Sequence, residues 1–290
     1  IEDKNGTTWI ASSRGLYFTN NLYNFTHFPL AQNDTGQIFV QKILIDTSKN
    51  VIWVGTRYHG LYTIANGKAS QFTSIRKNEE VTSLLTDSYN NIWIGTRSNG
   101  LFQYGSNNLR HLTEKDGLAS NLVYILHSDN FNSLWVGTNL GLNRIDLASL
   151  VHKDSLSISY YDSNKGLIDL ETNLNGVYEE NRWCFWIATN GGLLKYDQRS
   201  DKENSIAPKV RITKLKLNSL ETDWTAFSST IDYWNGLPNN LELEHSQNHL
   251  TFEFIGVSFK NPKLVKYKWK LDGFYEKWIT INRRQTIYSN

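Results

Sequence analysis

One short string recurs five times along this chain, and its spacing constrains the fold more than any other feature. Ile92-Trp93-Ile94-Gly95-Thr96 closes on Gly100-Leu101. Ile52-Trp53-Val54-Gly55-Thr56 precedes it and closes on Gly60-Leu61, and Leu134-Trp135-Val136-Gly137-Thr138 follows it and closes on Gly141-Leu142. Two looser copies flank these, Thr8-Trp9-Ile10-Ala11-Ser12 with Gly15-Leu16 and Phe185-Trp186-Ile187-Ala188-Thr189 with Gly192-Leu193. The tryptophans stand at positions 9, 53, 93, 135 and 186, in steps of 44, 40, 42 and 51. A period near 40 in a strand-rich chain marks a propeller or a similar array.

Each copy reads as one propeller blade. Asp87-Ser88-Tyr89-Asn90-Asn91 is a turn, because Asp and Asn side chains bond nearby backbone and tolerate left-handed geometry. Ile92 to Thr96 alternates as a strand with apolar residues on both faces, so it is expected to be covered on both sides. Gly95 permits close approach of a neighbouring backbone or ring. Asn99-Gly100 is expected to supply the positive-φ residues of a tight hairpin. Leu101 to Tyr104 returns, Leu109 to Leu112 follows, Asp116-Gly117-Leu118 turns the chain, and Leu122 to Leu126 is the next apolar run. Four strands per repeat make a blade. The tryptophans, set inside apolar strands, read as blade core. Helical periodicity is weak throughout.

The composition narrows the function. A net charge of +2 without a run of Lys or Arg gives no case for nucleic acid. The single cysteine, Cys184, cannot form an internal disulfide, and between Trp183 and Phe185 it reads as a buried thiol. No apolar run is long enough to cross a membrane. The seven histidines fall on different strands and turns without metal-ligand spacing, so neither a metal nor a cofactor is expected. Glu79-Glu80 and Glu179-Glu180 read as solvated loop charges, and no nucleophile elbow or phosphate loop is present.

Ile1-Glu2-Asp3 matches the end of an inner strand and its turn, so the chain is expected to be part of a longer protein. The five repeats would then form an arc of a larger ring. Residues 1–205 hold the repeats, and residues 206–290 change pattern. Leu250, Phe252 and Phe254 share one strand face, and Tyr267, Trp269 and Leu271 another. This second part reads as a small antiparallel β-sandwich of immunoglobulin type. The chain is thus expected to be all-β, with propeller blades followed by a sandwich.

The copies at Trp53, Trp93 and Trp135 resemble the two-component regulator propeller repeat, with Asn50, Asn90 and Asn132 at or beside the place of its usual turn glycine. Residues 248–254, 267–274, Trp278 and 288–290 resemble the three-tyrosine (Y_Y_Y) domain that follows such propellers, cut short at its C-terminal end. Together the two resemblances imply the periplasmic region of an inner-membrane hybrid two-component sensor, with seven-bladed propellers. They imply an oligosaccharide as ligand, control of glycan-utilisation genes and a homodimer through the membrane-proximal domain. The fragment itself would carry no catalytic residue, kinase or DNA-binding part. Alternatives are a structural relay whose ligand site lies elsewhere, and a propeller polysaccharide lyase.

Loops after each Gly-Thr strand are expected to gather on one propeller face. They carry the ligand-binding candidates Arg14, Arg57, Tyr58, His59, Arg97, Asn99 and Asn139, with Ser98 between two of them. Arginines bind carboxylate or sulfate in bidentate fashion and an aromatic face stacks on a sugar ring, so the set suits a sugar, especially an acidic one.

Overall fold

The computed structural model describes residues 1–290 apart from 22, 33, 35, 106, 107, 154, 163–166, 168–170, 202–207, 245, 248, 259–264, 274, 282–284, 289 and 290. Asn248, Phe274, Ser289 and Asn290, which carry part of the three-tyrosine resemblance, lie outside the described residues. The chain divides into two compact units, Ile1–Lys202 and Glu203–Asn290.

The first unit is a series of antiparallel sheets, one per repeat. The first holds β1 (Thr8–Ser12), β2 (Gly15–Thr19) and β3 (Thr26–Phe28). The second runs β4 (Val40–Asp46), β5 (Val51–Thr56), β6 (Leu61–Ala65) and β7 (Lys68–Gln71). The third runs β8 (Val81–Thr86), β9 (Ile92–Thr96), β10 (Leu101–Gly105) and β11 (Asn108–Leu112). The fourth runs β12 (Val123–Ser128), β13 (Ser133–Thr138), β14 (Gly141–Asp146) and β15 (Ile158–Tyr161). The fifth holds β16 (Thr172–Asn181), β17 (Cys184–Thr189) and β18 (Gly192–Asp197). The innermost strands β4, β8, β12 and β16 pack side by side.

Each motif residue has a physical task. Trp53, Trp93 and Trp135 are buried between sheets, as the strand pattern anticipates. The glycine leaves room for the next blade. A Cβ on Gly55 would stand 2.7 Å from Val81 Cγ1, and one on Gly95 would meet Ser83 and stand 2.7 Å from Val123 Cγ1. The threonine closes the hairpin. Thr96 Oγ1 donates to the Gly100 carbonyl at 2.8 Å and accepts from the Asn99 amide at 3.1 Å. Thr56 repeats this with Gly60 and His59, and Ser12 repeats it with Gly15 and Arg14. Only Gly100 adopts a left-handed conformation in this hairpin; Asn99 does not, because the threonine hydroxyl widens the turn by one bonded residue. Asn50, Asn90 and Asn132 hold the left-handed place in the preceding turns, with φ of 53°, 61° and 59°.

Those turns also anchor the tryptophans. Trp93 Nε1 donates to Asp87 Oδ2 at 2.7 Å, Trp135 Nε1 to Asp129 Oδ2 at 2.8 Å and Trp9 Nε1 to Asp3 Oδ2 at 3.0 Å. Glu180 takes that role for Trp186 at 2.6 Å, so it is an anchor on β16 rather than a loop charge. The weak helical periodicity conceals one short helix, α1 (Leu147–Lys153), after β14. Asp146 caps it by accepting from the Ala148 and Ser149 amides, and Leu147 and Leu150 fall into the core beside Trp93.

The second unit pairs β19 (Val210–Leu217) with β20 (Leu220–Glu221), β21 (Leu250–Gly256) and β24 (Gln285–Tyr288). A separate hairpin joins β22 (Tyr267–Trp269) to β23 (Ile279–Ile281). Phe254 and Tyr267 meet edge to face at 5.0 Å, and the Tyr267 hydroxyl accepts from the Gly256 amide. Leu271 lies beyond the end of β22 and is half-buried.

Candidate functional site

The propeller rim is built by one repeated pairing. In the second, third and fifth sheets the residue after the hairpin threonine donates its amide to the residue just before the innermost strand of the same sheet. Arg57 bonds the Phe39 carbonyl at 2.9 Å, Arg97 the Glu80 carbonyl at 3.0 Å and Asn190 the Glu171 carbonyl at 3.1 Å. This register brings Glu80 and Glu171 to the same edge as the arginines.

The innermost strands add a second element. Their pairing slips just after the first residue, between Val40 and Lys42, Val81 and Ser83, and Val123 and Ile125. A bulge leaves one residue unpaired and re-aims its side chain. Here those residues are Gln41, Thr82 and Tyr124, and each reaches the following blade. Gln41 Nε2 donates to Glu80 Oε1 at 2.8 Å, Thr82 Oγ1 to the Val123 carbonyl at 2.5 Å, and the Tyr124 hydroxyl to Glu171 Oε1 at 3.3 Å. Burial, with Glu171 beside it, raises the Tyr124 phenol above its ordinary pKa. In β16 the slip spans Thr172 to Val177, and Asn175 Nδ2 reaches the Thr82 carbonyl at 3.3 Å.

Glu80 is the centre of the resulting cluster. Its Oε1 lies 3.9 Å from Arg57 Nε and its Oε2 3.6 Å from Arg97 Nε. Both distances exceed a hydrogen bond, so the carboxylate sits between two guanidinium groups without a direct bond to either. Arg57 also lies over the Phe39 and Tyr58 rings, at 5.4 and 5.3 Å. Glu171 Oε2 accepts from Asn190 Nδ2 at 2.7 Å. Three polar atoms of the rim, Gln41 Oε1, Arg57 Nε and Asn139 Oδ1, are buried without a hydrogen bond.

The candidates read from the sequence separate here. Arg57 and Arg97 meet through Glu80, and Asn139 occupies the equivalent rim position of the fourth sheet. Tyr58 is exposed beside Arg57. His59 faces another cleft of about 520 Å³, with Leu30, Asp34, Ile38 and Tyr62. Asn99 uses its carbonyl to hold His111 Nε2 at 2.6 Å. Arg14 stands one position further along its hairpin than the rim row and is exposed. Ser98 donates to Glu79 Oε1 at 2.9 Å, and Glu79 is buried, not solvated. Gln41, Glu80, Tyr124, Glu171 and Asn190 are absent from the candidates. Their signal is positional: each stands at the mouth of an innermost strand, or directly after a hairpin threonine.

The sheets and their repeated rim define a β-propeller-type protein. The sequence profile of the two-component regulator propeller family matches residues 76–98, the stretch carrying Glu80, Trp93 and Arg97. Histidine kinase P4 of Formosa agariphila is 22% identical over 175 residues, which are 60% of this chain and 12% of that protein. Two structures of the extracellular domain of BT4673 from B. thetaiotaomicron, described once as a hybrid two-component and once as a one-component system, share the fold. The first has a TM-score of 0.53 at 18% identity and covers 100% of this chain and 46% of that one. The second has a TM-score of 0.51 at 17% identity and covers 100% and 44%. The chain therefore spans less than half the length of these proteins.

Proposed function

We propose that this chain is part of the extracellular sensing region of a two-component system, and that the rim around Glu80 binds an oligosaccharide. The carrying observation is the set of buried polar atoms at the rim without partners, Gln41 Oε1, Arg57 Nε and Asn139 Oδ1. Buried polar groups are nearly always bonded, so these three atoms mark a place where side chains re-aim, or a bridging water enters, when a ligand binds. The surroundings specify the ligand. Arg57 and Arg97 flank Glu80, and Glu171 lies across Tyr124 from it, so the rim carries both signs of charge. That favours a neutral polyhydroxyl over the acidic sugar suggested by the arginines alone. Carboxylates accept from adjacent sugar hydroxyls, guanidinium and amide groups donate to them, and Tyr58 offers an exposed ring.

In this reading the region is periplasmic, is anchored to the inner membrane by a segment beyond this chain, and regulates glycan-utilisation genes. The second unit is the three-tyrosine sandwich that dimerises. Its motive is the resemblance of residues 248–254 and 267–274 to that domain.

The relay reading has its own support. Asp201 Oδ2 accepts from the Tyr161 and Tyr196 hydroxyls at 2.7 and 2.8 Å, with Arg144 Nη1 3.7 Å away. The clasp fixes the last residues of the first unit to the packing between the fourth and fifth sheets, so a shift between those sheets moves the chain's exit.

Calorimetric titration of the complete extracellular region against neutral, uronate and sulfated oligosaccharides separates these readings. Binding of a neutral member, weakened by about 1.5–3 kcal/mol in each of Arg57→Ala and Arg97→Ala, is the expected result for charge-assisted bonds. Unchanged affinity in both variants moves the site elsewhere and leaves this chain as the relay.

A further inference from the structure

The packing between successive sheets follows one plan. A motif tryptophan, a residue of the outer strand opposite the motif leucine, and the residue four past the hairpin glycine of the next sheet meet in each slot. Between the second and third sheets these are Trp53, Phe72 and Tyr104, with ring centroids 5.2–5.5 Å apart. Between the fourth and fifth they are Trp135, Tyr161 and Tyr196, with Trp135 5.1 Å from Tyr161 and 4.5 Å from Tyr196. Between the third and fourth, the third place is Ile145, and Leu147 and Leu150 of α1 join the same cluster. Each of these slots is closed by side chains of the protein.

The slot between the first and second sheets is built alike but left open. Trp9 and Phe28 hold the first two places, 5.3 Å apart, and Phe18 adds a ring 5.5 Å from Trp9. The third place, four past Gly60, is Ile64, and no helix follows β6. A cleft of about 410 Å³ remains, floored by Trp9, Phe18, Phe28, Ile45, Ile52 and Ile64. One wall is formed by Thr47 and Asn50, from the turn in which Asp46 and Trp53 stand seven residues apart rather than the six that separate Asp87 from Trp93. The volume lies within the roughly 300–1,000 Å³ of small-molecule pockets, and an apolar cavity takes an apolar guest in preference to water.

We propose that this cleft is a binding site, separate from the rim, for a phenol-sized aromatic group. The ligand would lie where Tyr104 and Tyr196 lie in the equivalent slots, its ring on Trp9 and Phe28 and its hydroxyl at the polar mouth. The molecule thus supplies the occupant's shape twice, in Tyr104 and Tyr196, replaces it once with Ile145 and α1, and leaves it open beside Ile64. The ligand is a small phenolic compound: the apolar floor takes its ring, and the opening, lined by Asp3, Lys4, Asn5, Asn50 and Asn66, offers donors and acceptors to one hydroxyl, with Asp3 and Lys4 of opposite charge.

The test uses the intact protein labelled with 5-fluorotryptophan, with the Trp9 resonance assigned by its loss in Trp9→Phe. Titration with p-cresol is expected to shift that resonance saturably at millimolar concentration. Ile64→Tyr, which fills the third place from within, is expected to weaken the response at least tenfold. A parallel titration with cellobiose should leave the resonance unmoved. An unmoved resonance with p-cresol, an equal shift in Ile64→Tyr, or a response to cellobiose alone overturns the proposal. Should Ile64→Tyr not fold, crystals soaked in p-bromophenol decide the matter: a bromine anomalous peak in the cleft supports the site, and its absence refutes it.

Discussion

Two tryptophans of this chain occupy equivalent places and differ by one hydrogen bond, which permits a controlled measurement. Trp93 and Trp53 are both buried. Trp93 Nε1 donates to Asp87 at 2.7 Å, whereas Trp53 Nε1 and the corresponding Asp46 Oδ2 are both buried without a partner. The Asp46 turn is one residue longer: Oδ1 still accepts from the Ser48 and Lys49 amides and the Ser48 hydroxyl, but Oδ2 is not brought to the Trp53 indole. Substituting phenylalanine removes similar packing at both sites, and that loss cancels in the comparison. At Trp93 it also removes a bond to a carboxylate, worth about 1.5–3 kcal/mol. At Trp53 it removes a buried N–H that is unsatisfied, which offsets part of the packing loss. Trp93→Phe should therefore cost at least about 1.5 kcal/mol more than Trp53→Phe. For a unit of this size that is a further fall in Tm of roughly 3–6 °C. Scanning calorimetry at one fixed scan rate measures it, and cycles with Asp87→Ala and Asp46→Ala isolate the pair. Coupling of about 1.5–3 kcal/mol is expected for Asp87–Trp93 and near zero for Asp46–Trp53. Equal losses at the two tryptophans would refute the reasoning.

Two further outcomes follow from the packing and the clasp. Gly95→Ala places a Cβ against Ser83 and Val123, and overpacking of this kind should cost about 1–3 kcal/mol; a Tm equal to wild type in calorimetry counts against the close approach of the third and fourth sheets. Burial and the bond to Asp201 push the Tyr161 phenol up to about 12, and burial with the same bond raises Tyr196. An unfolded tyrosine ionises near 10, so these groups contribute stability that is complete below pH 10 and is lost as pH rises through their folded values. Tm should fall across that window, and the double variant Tyr161→Phe with Tyr196→Phe should fall less steeply; superimposable alkaline profiles would contradict the clasp.

Much of the first unit was legible in its sequence because the tryptophan motif encodes local and non-local constraints together. Trp93, Gly95, Thr96 and Gly100 each serve a contact whose chemistry admits few other residues, so their order repeats and the sheets can be read from it. The left-handed asparagines were legible for the same reason, since few side chains tolerate that backbone. Helix α1 was not: its seven residues are too few for helical periodicity to register, and its signal is confined to Asp146 as a cap with Leu147 and Leu150 three apart. The role of Asn99 was misjudged because an Asn-Gly pair favours a two-residue turn, while the Thr96 hydroxyl holds a longer one. Glu79 was misjudged because adjacent acidic residues read as solvated, and nothing local announces that Ser98, nineteen residues later, covers one of them.

The rim shows why half of a site can be read from a motif and the other half cannot. Arg57 and Arg97 stand directly after the hairpin threonine, at a fixed place in the repeat, so the sequence locates them. Their partners stand on another strand. Phe39, Glu80 and Glu171 precede Arg57, Arg97 and Asn190 by 18, 17 and 19 residues, an interval that changes with turn length and with the slip in each innermost strand. No fixed spacing connects them, and only the pairing register of the sheet does. That register alters the chemistry of the site and not merely its list of members. Read alone, the arginines form a cationic rim that selects for a carboxylate or sulfate. With Glu80 between them and Glu171 two blades further on, the same guanidinium groups stand among carboxylates, which is why the site proposed above is matched to hydroxyl groups rather than to an anion.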